Sequence, residues 1–178
     1  LNSSNPTLTH VTISGNTASF WGAGTYLSGS DPTLTHVTIT GNIAGLYGGG
    51  MYLEGSDPTI TNVTITDNTA AEYGGGMILS SSSNPMLNHV TIAGNTADYG
   101  GGIFVNDSNP TLTHVTISGN IAGLDGGGMY VLSSNPTLTN SIVWNNSPES
   151  IYLYSGTSLI TYSDVEGGWE GEGNIDAD

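Results

Sequence analysis

Apolar residues recur at fixed places within a repeat of about 26 residues, and that repeat predicts the elements of the chain. Its clearest copy is Ser30 to Leu53, SDPTLTHVTITGNIAGLYGGGMYL, and close copies run from the first residue to about Trp144. Marked by Pro6, Pro32, Pro58, Pro85, Pro110 and Pro136, the copies are 26, 26, 27, 25 and 26 residues apart. An aliphatic side chain stands two positions after each proline, Val follows three positions later (Val11, Val37, Val63, Val90, Val115), and Ile two after that. The step from the first aliphatic to Val is odd, which breaks the two-residue alternation of one strand. The chain therefore turns between them, at His10, His36, Asn62, His89, His114 and Asn140. His and Asn are among the few residues other than Gly that accept a left-handed backbone. A further strand follows the glycines, as in Gly50-Met51-Tyr52-Leu53, with Met51 and Leu53 facing inward and Tyr52 outward. Short strands joined by corners at this period predict an all-β parallel β-helix of about seven rungs, with three strands in each. A propeller blade needs four strands and about 40 residues or more.

Stacking at about 4.8 Å per rung turns each repeat position into a ladder. Asn16, Asn42, Asn68, Asn95, Asn120 and Asn146 form one, next to small or polar residues and followed two positions on by Ala in most copies. Buried carboxamides there are placed to bond both the next rung's side chain and its backbone. The fourth repeat carries an extra Ser within Ser80 to Ser83 and one residue fewer before Gly100, so both length changes belong in loops. The pattern weakens after Asn146, where Ile151 to Leu153 and Leu159 to Val165 complete a shortened last rung. The expected organisation is a β-helix over residues 1–165 and an acidic, Gly-rich tail or link over 166–178. Because the chain opens inside a repeat, it reads as a piece of something longer.

Composition narrows the function. There is no Lys or Arg against fifteen Asp and Glu, a formal charge of −15. Nucleic acid is excluded as a partner, since neutralising phosphates takes Lys or Arg, and anionic membranes are disfavoured for the same reason. No apolar run approaches the roughly 20 residues of a membrane span. The absence of Cys rules out disulfides and thiolate metal sites. Trypsin is expected to leave the chain intact.

Four Gly-Gly pairs, Gly49-Gly50-Met51, Gly75-Gly76-Met77, Gly101-Gly102-Ile103 and Gly127-Gly128-Met129, alternate with Ile39-Thr40-Gly41-Asn42 and its equivalents. On these residues the chain resembles the secreted right-handed parallel β-helix proteins of bacteria. It is more loosely similar to the chlamydial polymorphic outer-membrane protein repeats, which pair GGA(I/L/V) with FxxN. The resemblance implies a right-handed solenoid in an extracellular or cell-surface setting. It leaves activity open, because this architecture carries lyases, hydrolases, adhesins and structural fibres alike.

Candidate chemistry is sparse. A lyase acting on uronates would be expected to use Lys or Arg. A glycoside hydrolase needs two carboxylates at a set separation, whereas Asp31, Asp57, Asp98 and Asp125 sit in turns and converge on no face. The stacked pairs His10 with His36 and His89 with His114 invite a metal, but Asn in the third and sixth copies suits a corner better than ligation. Calcium is the more natural ion, on Asp31 and Asp57 of successive rungs with Glu54 nearby. A Thr-x-Thr grid, from Thr7 and Thr9 to Thr137 and Thr139, resembles the faces of ice-binding β-solenoids, though Met86 and Asn88 interrupt it. Two aromatic rows, Tyr26, Tyr52, Phe104 and Tyr130 on the last strand and Trp21, Tyr47, Tyr73 and Tyr99 before the glycines, are expected to form an exposed stripe suited to a protein or a glycan. The reading that results is a non-enzymatic, extracellular structural or adhesive solenoid that stacks with copies of itself into a filament or surface layer. Carbohydrate binding or cleavage on the aromatic face is the alternative, and ice binding a lesser one.

Overall fold

A computed structural model describes residues 1–177. The chain winds as an all-β parallel solenoid, and the first rung shows its plan: β1 (Thr7–Thr9), β2 (Thr12–Ser14), β3 (Thr17–Ala18) and β4 (Thr25–Ser28). Each strand pairs in parallel with its equivalent one repeat later, Leu8 opposite Leu34, Ile13 opposite Ile39, Ala18 opposite Ala44 and Leu27 opposite Leu53. Four parallel sheets result, headed by β1, β2, β3 and β4 and containing seven, seven, five and six strands. The rung is thus richer by one strand than the periodicity suggested. The addition, β3, is only two residues long, too short for alternation to announce it.

Left-handed residues turn the chain between sheets. The corner between β1 and β2 is His10 at φ 54° and His36 at 53°, with Asn62, His89, His114 and Asn140 between 51° and 53°. Three further corners use Gly15, Gly22 and Gly29 in the first rung, at φ 65°, 57° and 54°. In later rungs the Gly22 position stays Gly, Asp67 and Asn145 stand in for Gly at the first of these corners, and Ser81, Asp107 and Ser133 at the third. The extra Ser of the fourth repeat is absorbed at the corner of Ser81 and Ser82. The missing residue falls where Ala97 pairs with Ala122 but Tyr99 with Asp125, a local slip of register. Neither change propagates, because Met77 still faces Ile103 and Leu87 still faces Leu112.

One apolar core fills the tube from Leu27 to Val165, and Leu8, Val11 and Ile13 of the first rung are only partly buried against it. Each inward Leu or Ile removed from water contributes about 1.5–3 kcal/mol. At the other end, residues 166–177, expected as a tail, fold back over the last rung. Trp169 packs on the core. The Tyr162 amide donates to the Glu172 carbonyl at 2.7 Å, the Val165 amide to that of Ile175 at 3.1 Å, and the Ile175 amide to that of Ser163 at 2.9 Å. The Asn174 carboxamide donates to Ile160 O at 2.9 Å and accepts from Ser163 N at 3.0 Å. This segment has few apolar residues, yet Trp169 covers the apolar end of the tube, and Asn174 together with the Glu172 and Ile175 backbone meets polar groups of the last rung. Its acids stay in solvent.

Candidate functional site

The Asn corner is the most closely bonded part of the molecule. Asn95 accepts on Oδ1 from the Asn68 amide at 2.9 Å and from Asn68 Nδ2 at 3.0 Å. Its own Nδ2 donates to Asn120 Oδ1 at 2.9 Å and to Ile65 O at 3.0 Å. The same four bonds repeat along Asn42, Asn68 and Asn120, ending on Asn146, while Asn16 stands exposed at the first rung. These carboxamides are spent on the fold. The His10 and His36 rings stack at 4.9 Å and 2°, and His89 and His114 at 4.7 Å and 16°. Asn62 and Asn140 hold the same corner in their own rungs.

The aromatic rows pack mainly on each other. Phe104 and Tyr130 are 6% and 7% exposed, joined in one cluster by Ile78 and flanked by Tyr47, Tyr52, Tyr73 and Tyr99. Ring centroids of Tyr73 and Phe104 lie 4.6 Å apart, and those of Phe104 and Tyr130 5.1 Å. The expected open stripe is therefore mostly closed, because the row before the glycines folds over the row on the strand. Burial first, and then the charges of neighbouring phenolates and Asp125, push the Tyr130 hydroxyl up to about 12. Openness survives at the first rungs. Trp21 is 50% exposed and lies 6.2 Å from Tyr26 and 6.1 Å from Tyr52. Tyr26 donates to Glu54 Oε2 at 2.6 Å, the main reason its own pKa is raised, and Ser28 Oγ reaches the same oxygen at 3.4 Å.

Glu54 is thus turned to the aromatic side and away from Asp31 and Asp57. Those two belong to an exposed ladder before the prolines: Asp31 N donates to Asn5 Oδ1 at 2.7 Å, Asp57 N to Asp31 Oδ1 at 2.7 Å, and Asn84 N to Asp57 Oδ1 at 2.6 Å. Among the described residues no three His, Asp or Glu side chains gather to hold a metal. The proposed calcium set is not assembled as a group. Beside this ladder runs a buried one of serines, in which the Ser30 amide donates to Ser56 Oγ at 3.0 Å and the Ser56 amide to Ser83 Oγ at 3.1 Å. Sequence reasoning stacked Asp31 on Asp57 but passed over the serine ladder, although the triplet Ser-Asp/Asn-Pro opens every repeat.

The Thr-x-Thr rows stand in register on the β1 sheet, Thr33 opposite Thr59 and Thr35 opposite Thr61. Met86, 58% exposed, and Asn88 break the grid over a shallow depression flanked by Thr59, Thr61, Thr111 and Thr113. A family model described as a right handed beta helix region matches residues 1–166. No curated protein and no solved structure matches the chain.

Proposed function

The chain belongs to the right-handed β-helix family, and from that premise we propose that it is a non-catalytic structural module of an extracellular or cell-surface protein, a rod that holds its faces at fixed spacing for adhesion or assembly. One observation carries this reading. The side chains with the most chemistry to offer, Asn, Ser, His and Asp at the corners, are taken up in contacts between rungs. Acids that remain free are dispersed, whereas catalysis needs donors converging on one reacting atom. The test has two arms. Antibody labelling of intact source cells is expected to find the protein outside, and incubation with a panel of neutral and acidic polysaccharides is expected to release no new reducing ends. Labelling only after lysis, or turnover that grows with protein concentration, would sink the proposal.

The end-to-end filament needs a restriction. Residues 166–177 cover the last rung, so a second copy cannot continue the strands there without displacing Trp169 and Asn174.

A second reading rests on Trp21. Its half-exposed ring beside Tyr26 and Tyr52, with the Glu54 carboxylate next to them, suits the apolar face and hydroxyls of a sugar. With no Lys or Arg in the chain, neutral or amino sugars fit and uronates do not. Glycan-array binding lost in both Trp21→Ala and Tyr52→Ala, and kept in Asn88→Ala on the Thr face, supports it; no binding by the parent protein rejects it.

A further inference from the structure

One side chain on the Thr face differs in chemistry from its neighbours. Of the four Met in the chain, Met51, Met77 and Met129 are 0% exposed, whereas Met86 is 58% exposed. The equivalent place holds Thr33 and Thr59 in the two copies before it, and Thr111 and Thr137 in the two after. Rungs thus flank Met86 on both sides, and its exposure comes from the outward face on which it stands. With Thr59, Thr61, Asn88, Thr111 and Thr113 it lines the shallow depression of that face.

The strand Met86–Asn88 does not depend on this side chain for its place in the rod. Its inward residue is Leu87, 2% exposed, and the register runs unbroken from Thr59 through Met86 to Thr111. The Met86 amide donates to Pro58 O at 3.2 Å, and the Thr111 amide to Pro85 O at 3.1 Å. A change at the Met86 thioether therefore touches neither the core nor the ladder. The other three Met are placed differently. Met51 pairs with Met77 and Met129 with Ile103, all of them in the core, where an added polar atom is costly.

We infer that Met86 is a reversible oxidation site, taking one oxygen from a peroxide in solution while the fold protects the other three Met. The sulfur lone pair bonds to one peroxide oxygen as the O–O bond breaks. The proton on that oxygen passes to the departing hydroxide, which leaves as water. Sulfur is oxidised and the peroxide reduced, and no further reactant is needed. The product is a polar sulfoxide. Thr59 and Thr111, directly opposite on strands about 4.8 Å to either side, offer hydroxyls that can donate to its oxygen. Oxidation thus turns the apolar break in these rungs of the Thr face polar and leaves the rod standing.

The experiment treats the full, folded chain with dilute hydrogen peroxide, then unfolds it, digests it with chymotrypsin and weighs the peptides by mass spectrometry. Met86 is expected to gain one oxygen first, and Met51, Met77 and Met129 to react at least about tenfold more slowly, because susceptibility follows exposure. In urea all four are expected to react alike, which assigns the difference to the fold. Methionine sulfoxide reductases for both epimers are expected to return Met86 to the thioether. Melting followed by circular dichroism is expected to be the same before and after oxidation, and retention on a hydrophobic interaction column to fall. Met86→Leu, similar in volume and without sulfur, is expected to show no early gain of oxygen and no change in retention. A buried Met that reacts as fast as Met86 overturns the inference. So does an oxidised chain that melts earlier than the parent, a sulfoxide that the reductases leave in place, or a Met86→Leu chain whose retention falls as the parent's does.

Discussion

At the scale of single residues, stability rests on polar groups that have no alternative partner. Substituting Asn95→Ala leaves the Asn68 amide stranded in a buried corner and takes one partner each from the Asn68 carboxamide, which keeps its bond to Ile39 O, from the Ile65 carbonyl and from Asn120 Oδ1. A stranded group costs about 1–3 kcal/mol and the lost bonds add to it, so a loss of about 3 kcal/mol or more is expected in urea unfolding. Asn88→Ala, exposed on the Thr face, is the control and is expected to stay within about 0.5 kcal/mol. Asn62 calls for a different comparison because its demand is conformational, with φ at 53°. Asn62→Ala is expected to cost about 1 kcal/mol and Asn62→Gly nothing, since only Gly escapes the left-handed penalty. Tyr130 contributes a pH dependence. Its hydroxyl pKa is raised from 10.0 to about 12 in the fold, so above pH 10 the unfolded chain loses a proton that the folded chain keeps. The folded state's advantage from this group is full below pH 10 and is lost as pH rises toward 12. Melting curves of the parent and Tyr130→Phe between pH 9 and 12 check this: the variant is expected to lose less stability over that window.

At the scale of the element, the glycine pairs show what a rung demands. A Cβ on Gly76 would lie 2.5 Å from Gly102 O and 3.1 Å from Asn95 Nδ2, so the backbone of the next rung must move away. Gly76→Ala is expected to cost about 3 kcal/mol, the upper range of overpacking, and to weaken protection from amide exchange at Met77 and Ile103, whose strands it separates. Such demands explain what was legible. Each inward Leu, Val and Ile and each His or Asn corner recurs five or six times and the Gly-Gly pair four times, and recurrence turned weak preferences into a clear architecture. The two-residue strand Thr17–Ala18 was hidden because alternation needs more than one step. The closing over of Phe104 and Tyr130 was hidden for another reason. Whether two outward rows cover one another depends on how sharply the Gly48, Gly74 and Gly100 corners bend the chain, and periodicity carries no angle. The segment after Glu166 misled through its composition. Acid and Gly content suggested a tail, but what docks it is Trp169 and Asn174, two residues whose role depends on the apolar end they meet.

At the scale of the whole molecule, a stack of near-identical rungs is only as firm as its ends, since each rung touches only its neighbours and a terminal rung lacks one of them. The C-terminal end is supplied with a neighbour by residues 166–177, and this yields a prediction that separates a local from a global role. Trp169→Ala removes the side chain that covers the core, at a cost of about 2 kcal/mol for a half-buried aromatic, below the 3–5 kcal/mol of a fully buried one. If rungs behave as linked but separable units, amide exchange quickens first at Ile160 and Val165, then at Leu138 and Val143, while Met51 to Leu79 remain protected. Uniform quickening along the rod would mean that the stack opens as one body and that the cap governs it all. The graded outcome is expected, because the Asn and Ser ladders bond each rung separately to the next. A rod that frays only at its last rungs keeps the faces of its middle rungs at constant spacing, which is the property a structural module has to deliver.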